Sequence, residues 1–274
     1  MRVVLCALAK NEHLYINDFV KHYLNLGVDT IYIYDNDELT SPSIKDYIDQ
    51  ECLDRVVIKN IRGFKRNKLQ HEIYTGFYKK YARNYDWCIF CDIDEYLFGI
   101  TNIKEFLSKD VFKKYEQIRI KWKLFGDDDL ITRDMSKPVY EVFKNEVKET
   151  LDKSLTKKSC LERQGKAIVR CRINNVIVAS CHYASRYKGE NVLLSCLPSG
   201  KPCFSKIEIK EDYSNETVFF HHYMTKSLSE FINQKLNRND AVFNKSLTLD
   251  YYWRINKKTK DKIDFLKDNN LLYN

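Results

Sequence analysis

Glycine and proline are scarce, 8 and 4 residues of 274, and no Pro-, Gly- or Ser-rich stretch divides the chain, so composition marks no linker between domains. There is no internal repeat. The chain lacks G-x-G-x-x-G and G-x-x-x-x-G-K-[ST], which removes the glycine-cradled dinucleotide site and the P-loop. No apolar run is long enough to span a bilayer, and the start Met1-Arg2-Val3-Val4-Leu5-Cys6-Ala7-Leu8-Ala9-Lys10 carries no signal-peptide cleavage region. A cytoplasmic protein is the expectation. The nine cysteines, odd in number and placed in apparent strands, read as reduced thiols rather than a disulfide framework. Cys88 and Cys91 have C-x-x-C spacing, but strand positions three apart face opposite sides, which argues against a zinc or redox pair.

What the chain does have is aromatic side chains, 19 Tyr and 15 Phe, and a formal charge of +8. This mild excess, with a Lys-rich end from Lys257 to Lys267, fits an anionic ligand or a peripheral contact with anionic membrane at the inner face of the cell membrane. It is not a nucleic-acid footprint, and no nucleic acid is expected as a partner.

The apolar run Val3–Ala9 reads as a strand buried on both faces. A helical pattern through Leu14, Phe19, Val20, Tyr23 and Leu24 follows and stops at Gly27. Val28–Tyr34 is a second strand, Ser41-Pro42-Ser43 opens a short helix through Ile48, and Val56–Ile58 is a third strand. Leu69, Ile73, Phe77 and Tyr81 mark a longer helix that leads into a strand from Trp87. This alternation implies an α/β fold with a mostly parallel, doubly wound sheet. Ligands bind such sheets beyond the carboxyl ends of the strands. Those ends carry Lys10-Asn11-Glu12, Asp35-Asn36-Asp37 and Asp92-Ile93-Asp94-Glu95. If the fourth strand continues through the last cluster, Asp92 and Asp94 point the same way about 7 Å apart, a spacing suited to one Mg²⁺ or Mn²⁺ and the diphosphate it carries. The plain alternative is an acidic turn capping the next element.

The second half is less regular. Gln117–Trp122 reads as a strand leading to Lys123-Leu124-Phe125-Gly126-Asp127-Asp128-Asp129-Leu130. Residues 145–162 read as an exposed charged helix or loop. Residues 167–172 and 176–181 read as a hairpin turning at Asn174-Asn175, and Thr217–Phe220 as a strand leading to His221-His222-Tyr223. Ser227-Leu228-Ser229-Glu230 is a capping box that opens a helix carrying Phe231, Lys235 and Leu236. The expected organisation is one domain over 1–240, with a nucleotide-binding half (1–98) and an irregular acceptor-side half (99–240), then a basic C-terminal extension (241–274).

Taken in order, Ala9-Lys10-Asn11-Glu12, Phe19-Val20-Lys21-His22-Tyr23 with Leu26-Gly27-Val28, Tyr34-Asp35-Asn36, Asp86-Trp87, Asp92-Ile93-Asp94-Glu95-Tyr96-Leu97, Trp122 with Phe125-Gly126, Lys166-Ala167-Ile168-Val169 and His222-Tyr223-Met224-Thr225-Lys226-Ser227 resemble bacterial glycosyltransferases of the family 2 and family 92-like type. The resemblance implies the GT-A fold and transfer of a sugar from a nucleoside-diphosphate-sugar, a UDP-sugar first, to a hydroxyl of a glycan or lipid-linked acceptor, with inversion favoured. Surface polysaccharide or lipopolysaccharide synthesis is the implied setting, and Mn²⁺ or Mg²⁺ the implied cofactor. It assigns Lys10, Asn11, Glu12, Asp35, Asn36 and Gln70 to the donor, Asp92 to the donor and the metal, and Asp94 and His222 to the metal. A cation there would stabilise the leaving diphosphate.

The acceptor hydroxyl needs a carboxylate base. Asp128 is the first candidate, then Asp129 and Asp127, each against the plain reading of a solvated acidic loop. The acidic step departs from the family's usual smaller or amide residue. Arg62, Lys65, Arg66 and Lys68, and separately Lys226, are candidate diphosphate contacts against the alternative of a solvated charged face or a helix approach. Tyr251-Tyr252-Trp253-Arg254 is a candidate membrane contact. Two rival readings remain: a nucleotidyl- or phosphotransferase at the same Asp-x-Asp, and a non-catalytic nucleotide-sugar or nucleic-acid binding module.

Overall fold

The computed structural model describes residues 1–148, 161–180, 182–186, 192–236 and 247–271. Strand β1 (Val3–Ala9) is buried at every position, as its unbroken apolar run requires. Helix α1 (Ile16–Asn25), β2 (Thr30–Asp35), β3 (Val56–Asn60), α2 (Leu69–Lys80), β4 (Trp87–Phe90), β5 (Glu95–Phe98) and α3 (Ile103–Leu107) follow. The second half comprises β6 (Gln117–Phe125), α4 (Val139–Val142), β7 (Glu146–Val147), β8 (Gly165–Arg170), β9 (Val176–Ser180), β10 (Tyr183–Arg186), β11 (Ser195–Cys196), β12 (Pro202–Cys203) and β13 (Phe219–His222). Helices α5 (Leu228–Gln234), α6 (Leu249–Trp253) and α7 (Lys260–Asp268) come last. The short helix expected to run to Ile48 is a 3-10 turn over Ile44–Tyr47.

The main sheet has the order β12-β11-β6-β8-β4-β1-β2-β3. Pairs β4–β1, β1–β2 and β2–β3 are parallel, and β8 runs antiparallel to both β4 and β6. Because β6 therefore runs with β4, and β11 and β13 run with β6, most strands share one direction. Along β1 the side chains alternate between two layers. Val3, Leu5 and Ala7 pack with Ile16, Phe19 and Tyr23 of α1, while Val4, Cys6 and Leu8 pack with Tyr74 and Phe77 of α2. This is the doubly wound arrangement that the strand–helix alternation predicts. Cys91 lies in the first layer and Cys88 in the second, so the C-x-x-C pair is split across the sheet. Among the described residues no helix is long and apolar enough to cross a membrane.

Three expectations need correction. The segments 167–172 and 176–181 do not pair with each other. Strand β8 is almost wholly buried, so it is drawn into the centre of the sheet between β4 and β6. Strand β9 instead pairs with β10 and lies against α2, where Val178 N donates to Thr75 Oγ1 at 3.0 Å. Its expected end, Cys181, is outside the described residues, as are 149–160 of the charged 145–162 stretch. Second, β4 ends at Phe90, and Asp92 and Asp94 sit in the turn before β5. Third, the part of the expected C-terminal extension that is described packs into the protein: Tyr252, Lys262 and Leu266 are fully buried, and Tyr252 and Leu266 form a small core with Leu228 and Phe231 of α5.

Two positions carry sharp consequences. A Cβ at Gly165 would lie 1.9 Å from the Ile120 carbonyl oxygen across the β6–β8 pairing. Backbone must move to admit it, so Gly165→Ala is expected to destabilise the protein by about 2–3 kcal/mol in denaturant titrations; an unchanged midpoint would show that the two strands are not this close. His22, on α1, is surrounded by the rings of Tyr23, Tyr96, Phe98 and Tyr140, and its Nε2 donates to the Leu97 carbonyl at 3.0 Å. Burial lowers its pKa to about 4, against the opposing pull of that carbonyl. The unfolded chain, with an ordinary value near 6.5, binds the proton first as pH falls. The neutral-ring contribution is therefore complete above about pH 6.5 and is lost between there and about 4, by up to about 3 kcal/mol. Unfolding free energies measured at pH 7 and 5 are expected to fall, and His22→Gln should flatten that slope.

Candidate functional site

The first two strand ends meet in one network. Asn11, just past β1, takes a left-handed backbone with φ 55°, and its N–H donates to Asp37 Oδ1. Burial raises the Asp37 pKa, and the Asn11 N–H opposes the rise. Asp35 is buried at the end of β2, accepts from Asp37 N at 3.1 Å and lies 3.9 Å from Arg62 Nε. Asn36 Nδ2 donates to the carbonyls of Ile61 and Phe64 at 3.1 and 2.9 Å, so its amide holds the loop after β3. Arg62 clamps the 38–41 loop through the carbonyls of Glu38 and Ser41. Lys10 and Lys65 flank Glu38, at 3.9 and 3.2 Å, while Arg66 pairs with Glu72 at 3.0 Å on the surface. Of the four basic residues suggested for a diphosphate, Arg62 and Lys65 are engaged with loop groups and Arg66 with Glu72 of α2, and among the described residues no contact ties Lys68 to this network.

The third strand end is the Asp-x-Asp turn. Glu95 N donates to the Asp92 carbonyl and Asp92 N to Glu95 Oε2, at 3.1 and 3.0 Å. The turn sends the two aspartates to different partners, which replaces the shared face expected of a continuous strand. Asp92 accepts from Gln70 Nε2 on one oxygen and from Lys166 Nζ on the other, the latter at 2.7 Å. Gln70 also donates to Tyr74 OH, which in turn donates to the Cys91 carbonyl, both at 3.1 Å. The structure thus joins Gln70 to Asp92. Lys166 is fully buried and also lies 3.5 Å from Glu95; burial pushes the Glu95 carboxyl well up, with Lys166 pulling the other way.

Asp94 accepts from Lys235 Nζ, which also donates to the Met224 carbonyl at 2.7 Å. His222 Nε2 lies 3.6 Å from the other Asp94 oxygen. Burial alone would raise the Asp94 pKa, but Lys235, His222 and Lys226 outweigh it and hold the carboxyl below its ordinary range. Burial takes the His222 ring down to about 4, with Asp94 pulling the other way. The Trp122 ring packs against His222 and His182, at 4.5 and 5.2 Å between centroids, and Lys166 Nζ is 5.8 Å from it.

The expected metal set does not fit this arrangement. Asp92 and Asp94 each already hold a lysine ammonium, and among the described residues no three His, Cys, Asp or Glu side chains group closely enough to hold an ion. Lys166 and Lys235 are the residues that sequence reasoning missed as site members. The signal was present in both. A lysine inside an apolar strand, or one helical turn from Phe231 on a core-facing stripe, is buried and must find a carboxylate.

The acidic step is held by the C-terminal helices. Asp127 is buried, pairs with Lys262 Nζ at 2.6 Å and accepts from Tyr252 OH. Its N–H donates to Asn256 Oδ1 at 2.9 Å, and Asn256 Nδ2 reaches Thr225 Oγ1 at 3.0 Å, beside Lys226. Asp128 accepts from the N–H groups of Lys144 and Asn145 at 2.7 and 3.3 Å. Asp129 pairs with Lys262 at 2.9 Å with its side chain 59% exposed, and that hydrogen bond lowers its pKa. The three candidate bases are therefore not equivalent: Asp127 is fixed in the structure, Asp128 caps a loop, and Asp129 faces solvent. Lys262→Met leaves Asp127 buried without its ammonium and is expected to destabilise by about 3–5 kcal/mol. Asp129→Asn removes only the exposed carboxylate and leaves Lys262 its pair with Asp127, so it should cost no more than about 1 kcal/mol. Denaturant titration of both variants checks the contrast; equal costs would refute it.

No family model matches the chain, and no curated protein matches it. Among solved structures it is similar to the crystal structure of S. aureus TarS, with 11% sequence identity and a TM-score of 0.34 over 45% of this chain and 22% of that one. The chain thus spans about a fifth of the length of TarS.

Proposed function

We propose that the chain is a glycosyltransferase that moves a sugar from a nucleoside-diphosphate-sugar to a hydroxyl of a glycan or lipid-linked acceptor. The observation that carries this reading is the convergence of three polar strand ends beside the parallel strands: Asn11 with Asp35, Asn36 and Asp37 as one network, and Gln70 with Asp92 at the next strand. A doubly wound sheet binds ligands at this edge. Carboxylates and amides there suit ribose hydroxyls and a base, and the buried lysines alongside suit a diphosphate. The strand order β3-β2-β1-β4, followed by an antiparallel strand and then β6, is compatible with the GT-A-like fold that the sequence resemblance implies.

The acceptor side of this reading rests on a cavity of about 730 Å³. Asp128, Asp129, Glu146, Trp253 and Asn256 are among its walls. An aromatic ring with carboxylates and an amide is a surface on which a sugar can stack and hydrogen-bond. The acceptor hydroxyl loses its proton as it attacks, and Asp129, the exposed member of the acidic step, is the proposed base. Surface polysaccharide or lipopolysaccharide assembly is the setting this reading proposes. Inversion follows from the resemblance alone.

A thermal-shift panel against UDP, GDP, CDP and their sugars, with and without Mn²⁺, tests the reading. One nucleoside diphosphate is expected to stabilise the protein by about 2.7 kcal/mol at a hundredfold excess over its Kd, and Asp92→Asn to weaken that binding about tenfold. Failure of every nucleoside diphosphate to bind in either metal condition would remove the proposal.

A further inference from the structure

Lys226 sits between β13 and α5 with a left-handed backbone, φ 59°, a conformation that costs a non-glycine residue free energy and persists only where its surroundings enforce it. They do so on both sides. Tyr223 N donates to the Asp94 carbonyl at 2.9 Å, and Ser227 closes a capping box with Glu230 at the start of α5. The enforced turn drives the Lys226 side chain inward, where it is 2% exposed. Its Nζ lies 3.9 Å above the Tyr15 ring and 3.9 Å from Glu12 Oε2, and among the described residues it makes no hydrogen bond. An ammonium has three donors and no acceptor, and a ring and a carboxylate at 3.9 Å with no hydrogen bond offset only part of the cost of burying it. Lys235, also buried, adds a like charge to the same site. Burial and that neighbour lower the Lys226 pKa to about 8.

We infer that Lys226 and Lys235 receive the diphosphate of the donor, and that Asp92 and Asp94 hold lysines rather than a divalent ion. The inference rests on the glycosyltransferase reading above. A cation on Asp94 would have to displace Lys235, leaving a second ammonium in the interior beside the first. A diphosphate brings acceptor oxygens and negative charge to a place that holds an unsatisfied cation. In the transfer, the bond between the anomeric carbon and the diphosphate oxygen breaks and its electron pair leaves with the nucleoside diphosphate. The acceptor oxygen forms the new bond to that carbon and its proton passes to a carboxylate. Hydrogen bonds from the ammonium groups strengthen as charge grows on the leaving oxygen, which is the role otherwise given to a metal.

Calorimetric titration of the full chain with UDP, GDP and CDP and the matching monophosphates, first in excess EDTA and then with Mn²⁺, tests this. The diphosphate that binds is expected to do so in EDTA within about threefold of its affinity in Mn²⁺. Lys226→Met is expected to weaken it about tenfold or more, with Lys226→Arg recovering part of the loss and the monophosphate much less affected. The unliganded Lys226→Met protein should melt within about 5 °C of the wild type, because Lys226 makes no hydrogen bond and its pair with Glu12 is long, 3.9 Å against 2.6 Å for Lys262 with Asp127. Binding that appears only with Mn²⁺ overturns the lysine assignment and leaves the transferase reading intact. Absence of binding by any nucleoside diphosphate in both conditions removes both. A larger drop in the melting temperature of unliganded Lys226→Met with unchanged affinity in EDTA would make Lys226 a structural residue and overturn the inference.

Discussion

A charge taken out of water must bring its partner with it, because the penalty of burial is several kcal/mol for each ion. Among the described residues this protein buries Lys166, Lys226, Lys235 and Lys262 to 5% exposure or less, and much of its architecture can be traced to where their partners lie. Lys166 ties β8 to the turn after β4 through Asp92. Lys235 ties α5 to the same turn through Asp94. Lys262 ties α7 to the loop after β6 through Asp127. Three segments remote in sequence are thereby fixed around one edge of the sheet. Losing either member of such a pair is costly in a way that losing an exposed pair is not, so these contacts specify geometry more than they add net stability.

The placement of β8 makes this possible. Parallel strands need long crossovers and leave the sheet apolar on both faces, so the four-stranded parallel half has no room for a charged side chain except at its strand ends. An antiparallel strand entering between β4 and β6 runs the opposite way, so its first residues lie where β4 finishes. Lys166 is the second residue of β8 and Asp92 follows β4, and the pairing of Phe90 with Ala167 puts the two side by side. The close backbone approach at Gly165 belongs to the same insertion: a residue with a side chain there would hold β6 away and with it the wall that Trp122 provides.

Much of the first half was legible in the sequence, since apolar runs, helical spacing and polar strand ends are local signals. The unbroken run Val3–Ala9, the stop at Gly27 and the capping box at Ser227 all specify structure within a few residues, and the split of Cys88 from Cys91 followed from strand alternation alone. The Asp-x-Asp turn was not legible in this way: its cluster was read as the continuation of a strand, whereas Asp92 and Glu95 bond each other's backbone and end it. The hairpin over 167–181 failed for a different reason. Neighbouring strands usually pair, but a strand buried on both faces gains more from two partners in the sheet centre than from one at its edge. Nor could the site lysines be assigned, because Lys166 meets a carboxylate 74 residues away and Lys235 one 141 residues away. Local pattern says that such a lysine must be partnered; only topology says by what.

That distinction bears on how a short acidic motif is read. Two carboxylates separated by one residue carry no fixed role, since the same oxygens can ligate an ion, accept from ammonium groups or cap a turn. Which of these applies is decided by the charges that the rest of the fold delivers. Here the sheet insertion delivers Lys166, the capped helix delivers Lys235, and a strained backbone residue delivers Lys226. On the proposed reading, a fixed ammonium differs from an exchangeable ion in its consequences. Its position is set by packing rather than by a coordination shell, its strength depends on the exclusion of water around it, and it cannot leave with the product. The requirement therefore shifts from metal supply to preorganisation: Tyr15 beneath Lys226, the Met224 carbonyl on Lys235, and the hydrogen bond from Asn256 to Thr225 that anchors the adjoining backbone become the parts on which charge stabilisation depends.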